Sequence, residues 1–144
     1  MKYDFFVAGR WRNHENITPV VEKIRSTNKT VYYWTESKYD GYGIHKKLDS
    51  KEIDRLMVEE EQMDDWQNDP LLKEIFKRDM SALRNSSAIV VVFPIGFSAH
   101  MELGAAYGMG KKCYGLGKPE KAETLYFMFD EIFPDVNLFL EKIS

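Results

Sequence analysis

The sequence predicts a doubly wound α/β domain: a parallel sheet of about five strands between two layers of helices. Three observations predict it. Short continuous apolar runs recur along the chain, "YDFFVAG" (Tyr3 to Gly9), "TVYYWT" (Thr30 to Thr35), "AIVVVF" (Ala88 to Phe93) and "KCYGL" (Lys112 to Leu116), and runs of this kind suit strands buried on both faces. Between them lie segments with apolar residues at helical spacing, and alternating β and α units of this size form a parallel sheet with helices on both sides. At 144 residues, with 44% hydrophobic and 14% aromatic content, the chain can fill one core and is short for a second full domain.

The first strand, Tyr3 to Gly9, is followed by Ile17, Val20, Val21 and Ile24 at i, i+3, i+4 and i+7, a helix with one face on the sheet. Pro19 is expected in its first turn, with Thr18 or Asn13 as the cap. Thr30 to Thr35 is β-branched and aromatic, the second strand. Residues 36–68 break the pattern: "YDGYG" marks a loop, Ile53, Leu56 and Met57 stand at helical spacing, and Glu59, Glu60, Glu61, Asp64 and Asp65 crowd the end. Charge runs of this kind face water, although a long connection can also be a lid over a site. "DPLLKEIFKRDMSALRNSS" opens with an Asp cap and a proline in the first helical position, and Leu72, Ile75, Phe76, Met80 and Leu83 form its apolar stripe. Ala88 to Phe93 is the central strand, "GFSAHMELGAAYGMGKK" the helix after it, and Lys112 to Leu116 a further strand. "LYFMFDEIF" reads equally as strand or helix, and "DVNLFLEKI" closes the chain as a helix.

Composition narrows the function. Twenty Lys+Arg against 23 Asp+Glu give a net charge of -3, interspersed rather than gathered into a basic stripe, which disfavours a nucleic-acid polymer as partner. One cysteine, Cys113, excludes an internal disulfide, and no apolar run approaches the ~20 residues that span a bilayer. The start has the wrong order of charge and apolar residues for a signal peptide. A soluble cytoplasmic protein without a membrane partner is expected. His14, His45 and His100 are too scattered in sequence to suggest a metal site.

Two carboxylates are out of place. Glu102 sits in an apolar, small-residue helix with Ser98, Ala99, Ala105 and Ala106 at i±3 and i±4, so no basic residue stands within a turn of it. Gly104 and Gly108 suggest close packing of this helix on the sheet. A carboxylate there needs a partner or a use, unless it is an exposed first-turn acid favoured by the helix dipole. Asp79 lies on the stripe of the preceding helix, where pairing with Arg78 or Arg84 is the plainer reading. Ligands of doubly wound sheets bind outside the carboxyl ends of the strands. There stand Gly9, Arg10, Trp11 and Arg12 after the first strand, Trp34 at the end of the second, and Gly96, Ser98 and His100 after the central one. The glycine turn feeding a helix N-terminus suits a phosphate or carboxylate, with Ser98 beside it or as an ordinary N-cap. Arg10 and Arg12 could add bidentate contacts, and Trp11 and Trp34 could stack on a planar base. His100 reads as a surface residue as readily as a ligand contact.

"FFVAGRW", "RDMSAL" and "SAHMELGAAYGMGKK", in that order between about Phe5 and Leu116, resemble the nucleoside 2-deoxyribosyltransferase family and its nucleotide N-glycosidase relatives. The resemblance leaves residues 36–68 and the tail uncovered. It implies a flavodoxin-like (Rossmann-like) fold and cleavage or exchange of the N-glycosidic bond of deoxynucleosides or their 5'-monophosphates, with no cofactor and no metal. The family's nucleophile falls on Glu102, which would attack the anomeric carbon, and its acid falls on Asp79, which would protonate the departing base. An oxocarbenium-like transition state needs an adjacent anion, and a poor leaving group needs an acid. The family completes its sites with a neighbouring subunit, which implies a homodimer or higher homo-oligomer.

The chain departs from the pattern in three places: Phe6 stands where the family has a tyrosine, no acid lies between Pro94 and His100, and Gly96 occupies the position of a phosphate-binding serine, with Ser98 as substitute. A nucleotide-binding module without turnover is the rival reading. A redox flavoprotein is disfavoured because "GRWRNHEN", not a Ser/Thr/Gly-rich phosphate loop, follows the first strand.

Overall fold

The computed structural model describes residues 1–34, 58–59 and 61–143. Five strands, β1 (Tyr3–Ala8), β2 (Val31–Tyr33), β3 (Ser86–Val92), β4 (Lys112–Leu116) and β5 (Glu131–Phe133), form one sheet in the order β2-β1-β3-β4-β5, with every adjacent pair parallel. Four α-helices lie among the described residues: α1 (His14–Arg25), α2 (Pro70–Arg84), α3 (Phe97–Gly108) and α4 (Val136–Ile143). This is the flavodoxin-like strand order, with its reversal between β1 and β3. The chain divides into two compact units, Met1–Tyr33 with Ala82–Ser144, and Trp34–Ser81.

In the first unit the centre is the pairing of β1 with β3, in which Phe6 meets Ile89 and Val7 meets Val90. Phe6, Val7, Ile89, Val90 and Val91 are buried completely or nearly so, the desolvated core that continuous apolar strands require. The chain steps one way from β1 to β2 and the other way from β3 to β4, so right-handed crossovers place α1 on one face and α3 on the other. α4 packs with α1, and its Phe139 fills that layer with ring contacts to Phe5, Tyr114 and Phe133 at 5.4–5.5 Å.

Several elements differ from the sequence expectation for identifiable reasons. α1 starts at His14, so Pro19 falls inside it rather than in its first turn, where its missing N–H forfeits one bond near the helix start. Asn13 stands at the cap position without capping; its amide instead donates to the Phe93 carbonyl at 3.4 Å. β3 begins at Ser86, whose buried hydroxyl donates back to the Ala82 carbonyl at 2.7 Å. "LYFMFDEIF" is both of its alternatives, a 3₁₀ turn over Thr124–Met128 and then β5.

In the second unit, Asp69 caps α2 through its bond from Leu72 N–H at 3.0 Å, with Pro70 next. Phe76, expected in the stripe of α2, is 65% exposed. Glu59, Glu61, Asp64 and Asp65 are exposed, as a solvated run would be. The helix expected around Ile53, Leu56 and Met57, and most of the segment read as a possible lid, lie outside the described residues.

Polar tethers hold the strand ends of the first unit. Asp4 accepts from the N–H and hydroxyl of Thr30 at 2.8 and 3.0 Å, and its own N–H donates to the Thr30 hydroxyl at 2.9 Å, closing β1 onto β2. Lys111 Nζ donates to the carbonyls of Arg84 and Ser86 at 3.1 and 2.6 Å, satisfying the backbone where α2 turns into β3. The Thr30 N–H holds the Asp4 carboxyl below the usual carboxylate range. A depressed folded value means the tether is fully present above the unfolded value of about 3.9 and is lost as pH falls through the lower folded one. The gap in urea midpoint between the wild type and Asp4→Ala is therefore expected to be open at pH 6 and to narrow below pH ~3; a gap unchanged with pH would refute the tether.

Candidate functional site

The loops leaving β1 and β3 depart to opposite faces, and this reversal opens a crevice at the carboxyl edge of the sheet. Ala8 pairs with Val91, so Gly9 follows level with Val92, the last residue of β3. A Cβ on Gly9 would stand 2.5 Å from Ile17 Cδ1 and 3.3 Å from the Val92 carbonyl oxygen. Because Ile17 is fully buried, it has little room to yield, so only glycine lets α1 approach this closely. Across the crevice the Arg10 side chain runs beside Gly96, whose absent Cβ would lie 3.6 Å from Arg10 Cγ and Nε. The Asn13 bond to Phe93 joins the same two loops. Two of the predicted binding positions, Arg10 and Gly96, are thereby brought together.

Gly96 is the N-cap of α3 and makes no side-chain cap bond. The first bond of the helix runs from His100 N–H to the Gly96 carbonyl at 3.2 Å. The N–H groups of Phe97, Ser98 and Ala99 precede it and point out of the helix end, with Arg10 alongside, an arrangement that favours an anion. Ser98 is exposed and lies within the first turn, so it is not the N-cap that the sequence allowed.

α3 buries Ala99, Leu103 and Ala106 against the sheet. At about 100° per residue, Ser98 and Glu102 fall on one flank of that buried line and His100 on the other. The His100 flank faces a cleft of about 480 Å³ between α3 and the β4–β5 connection, walled by Phe93, Leu103, Leu125 and Met128. α3 packs over β3 and β4, and half-buried Glu102 lies on its opposite flank, away from this cleft. Gly104 and Gly108 do not serve close packing on the sheet: a Cβ on either would meet nothing within 4 Å.

His100 is occupied within its own cleft. Nδ1 donates to the Gly96 carbonyl at 2.7 Å and Nε2 accepts from the Tyr126 hydroxyl at 2.9 Å, because a carbonyl can only accept and thus fixes the tautomer. The two rings are nearly parallel, 13° apart. Burial, with Glu123 and Glu120 nearby, holds the Tyr126 phenol above its ordinary value, which keeps its proton available for donation. Tyr126 was hidden to sequence reasoning because its segment had no clear period.

The other predicted positions stand as follows. Arg12 is exposed in the 3₁₀ turn Trp11–Asn13 that leads into α1. Trp34 is half-buried directly after β2, and Asp79 is half-buried on α2; both belong to the second unit, whereas Glu102, Arg10 and Gly96 belong to the first. Arg78, one candidate partner of Asp79, pairs with Glu74 at 2.9 Å. Cys113 is buried, and desolvation, with Asp130 adding to it, pushes its thiol up to about 11, far from a reactive thiolate. Among the described residues no group of three or more His, Cys, Asp or Glu side chains could hold a metal ion, and no helix is long and apolar enough to cross a membrane.

No family model matches the chain, and no curated protein matches it. Among solved structures it is similar to a 2-deoxyribosyltransferase from the psychrotolerant bacterium Bacillus psychrosaccharolyticus, with a TM-score of 0.63 at 16% identity, over 94% of this chain and 88% of that one. The chain is thus a flavodoxin-like α/β protein and shares the fold of that enzyme.

Gly9→Ala is expected to lower stability by about 1–3 kcal/mol through overpacking against Ile17. Denaturant unfolding checks this, and an unchanged midpoint would mean that α1 can move off the crevice.

Proposed function

We propose that this protein cleaves or exchanges the N-glycosidic bond of a nucleoside or its 5'-monophosphate, with Glu102 as nucleophile and Asp79 as the acid that protonates the leaving base. The observation that carries the proposal is the half-buried Glu102 on the flank of α3 away from the His100 cleft, on the same helix whose first turn meets Arg10 at Gly96. A carboxylate at that edge can attack an anomeric carbon as the base departs, forming a glycosyl-enzyme ester that water or a second base then resolves. The uncapped N–H groups of α3 and the Arg10 guanidinium would receive the 5'-phosphate, and Gly9, Trp11, Arg12, Trp34 and Ser98 would line the sugar and base. The fold shared with a 2-deoxyribosyltransferase supports the same reading.

One observation favours a second reading, a nucleotide-binding module that does not turn over. Phe6 is 1% exposed and stacks on Tyr32 at 5.3 Å, so it serves the core and has no hydroxyl to orient a nucleophile. Base release from a panel of nucleosides and 5'-monophosphates, followed by chromatography, separates the two. Under the enzyme reading Glu102→Ala lowers kcat by on the order of 10³ or more while the melting temperature and ligand binding persist. Turnover unchanged in that variant would sink the assignment, and ligand-induced stabilisation without any base release would establish the binding module.

Arg10→Ala is expected to raise KM for 5'-monophosphates about tenfold or more, the loss of one charge-assisted contact, and to leave KM for free nucleosides nearly unchanged. Equal effects on both would remove Arg10 from the phosphate.

A further inference from the structure

Glycine at the N-cap sets two demands against each other in the turn that opens α3. No side chain there accepts from the first N–H groups, so they stay available to an anion. A Ser, Thr, Asp or Asn cap would have held the turn, but only by consuming one of those groups. The backbone supplies one bond, from His100 N–H to the Gly96 carbonyl, and at 3.2 Å it is long.

We propose that His100 is a positioning residue that holds this turn from its carbonyl side: Nδ1–H locks the plane of the Gly96–Phe97 peptide and so aims the Phe97 N–H at the anion, while Tyr126 holds the ring. The proposal rests on the reading of this turn as the phosphate end of the site.

The Gly96–Phe97 peptide is trans and planar, so the Gly96 carbonyl and the Phe97 N–H point in opposite directions from one rigid unit. Nδ1 donates to that carbonyl at 2.7 Å, the shorter of the two bonds it accepts. A carbonyl drawn down the helix towards residue 100 turns the Phe97 N–H out of the helix end, where Arg10 runs past Gly96. An exposed imidazole left to itself would exchange between rotamers. This one is held from behind. The Tyr126 hydroxyl donates to Nε2 at 2.9 Å, the two rings stack at 5.8 Å, and the buried rings of Phe93 and Phe129 pack on Tyr126 at 5.6 and 5.7 Å. A continuous line of contacts therefore runs from the core through Tyr126 and His100 to one peptide. Because the ring lies in the cleft beside α3, it acts on an anion only through that peptide.

Titration of the full chain with deoxynucleoside 5'-monophosphates and the matching nucleosides, beside amide hydrogen exchange, tests the lock. His100→Ala is expected to weaken monophosphate binding about fivefold more than nucleoside binding, the worth of one lost hydrogen bond, and to speed exchange of the residue 100 N–H. In His100→Asn the side-chain amide nitrogen can take the place of Nδ1, and this variant is expected to restore both. His100→Gln carries its amide nitrogen out to the place of Nε2 and is expected to restore neither. Tyr126→Phe is expected to fall between the wild type and His100→Ala. A merely structural role would make the Asn and Gln variants alike and shift both ligands equally. A His100→Ala variant that keeps the wild-type preference for monophosphates, or an Asn variant no better than Gln, would overturn the lock and leave the phosphate reading standing. A wild type that binds monophosphates no tighter than nucleosides would remove the phosphate from this turn, and the positioning role with it.

Discussion

β1 and β3 run side by side from Tyr3 opposite Ser86 to Ala8 opposite Val91, and the chain leaves their two ends in opposite directions. Almost every feature of the candidate site depends on this pairing. It buries Phe6, Val7, Ile89 and Val90, and it brings the Arg10 loop against the Gly96 turn. It also sets the reversal of strand order that opens a crevice at the carboxyl edge of the sheet. Parallel neighbours need long connections, so the same constraint places residues from distant parts of the sequence at one crevice.

α3 carries the second constraint. Its sheet side anchors it with Ala99, Leu103 and Ala106, and the direction of everything else on it follows from that line. One flank carries Glu102, while the other holds His100 in a brace to Gly96 and Tyr126. That brace ties the first turn of α3 to the β4–β5 connection. It therefore braces the end of the helix whose free N–H groups meet Arg10, although His100 itself faces the neighbouring cleft.

Phe6 shows how core and chemistry compete for one position. A ring at this place on β1 packs on Tyr32 and contributes apolar burial, worth roughly 1.5–3 kcal/mol for a residue of its size. A hydroxyl there would have to find a hydrogen-bond partner or cost stability. The chain has resolved the competition in favour of the core, and for that reason cleavage and binding without cleavage are both worth measuring.

Much of the fold was legible from local signals. Continuous apolar runs marked β1, β3 and β4, the Asp69–Pro70 pair marked the start of α2, Arg10 and Gly96 stood out because they follow strand ends, and Glu102 because it interrupts an apolar helix. Local signals failed where a position's role depended on distant neighbours. Pro19 sits inside α1 because the 3₁₀ turn at Trp11 lets the helix start early. Phe76 is exposed despite its place on the stripe of α2. Tyr126 became a partner of His100 only when the β4–β5 connection folded over α3. Periodicity records which side of an element is apolar, and so the sequence by itself determined the strands, the helices and the odd carboxylate. It could not give α3 a direction, because α3 is apolar on both sides. Only the sheet, by choosing which of those sides to bury, decided that Glu102 stands on the flank away from His100 and that Phe97, Met101 and the two glycines look outward.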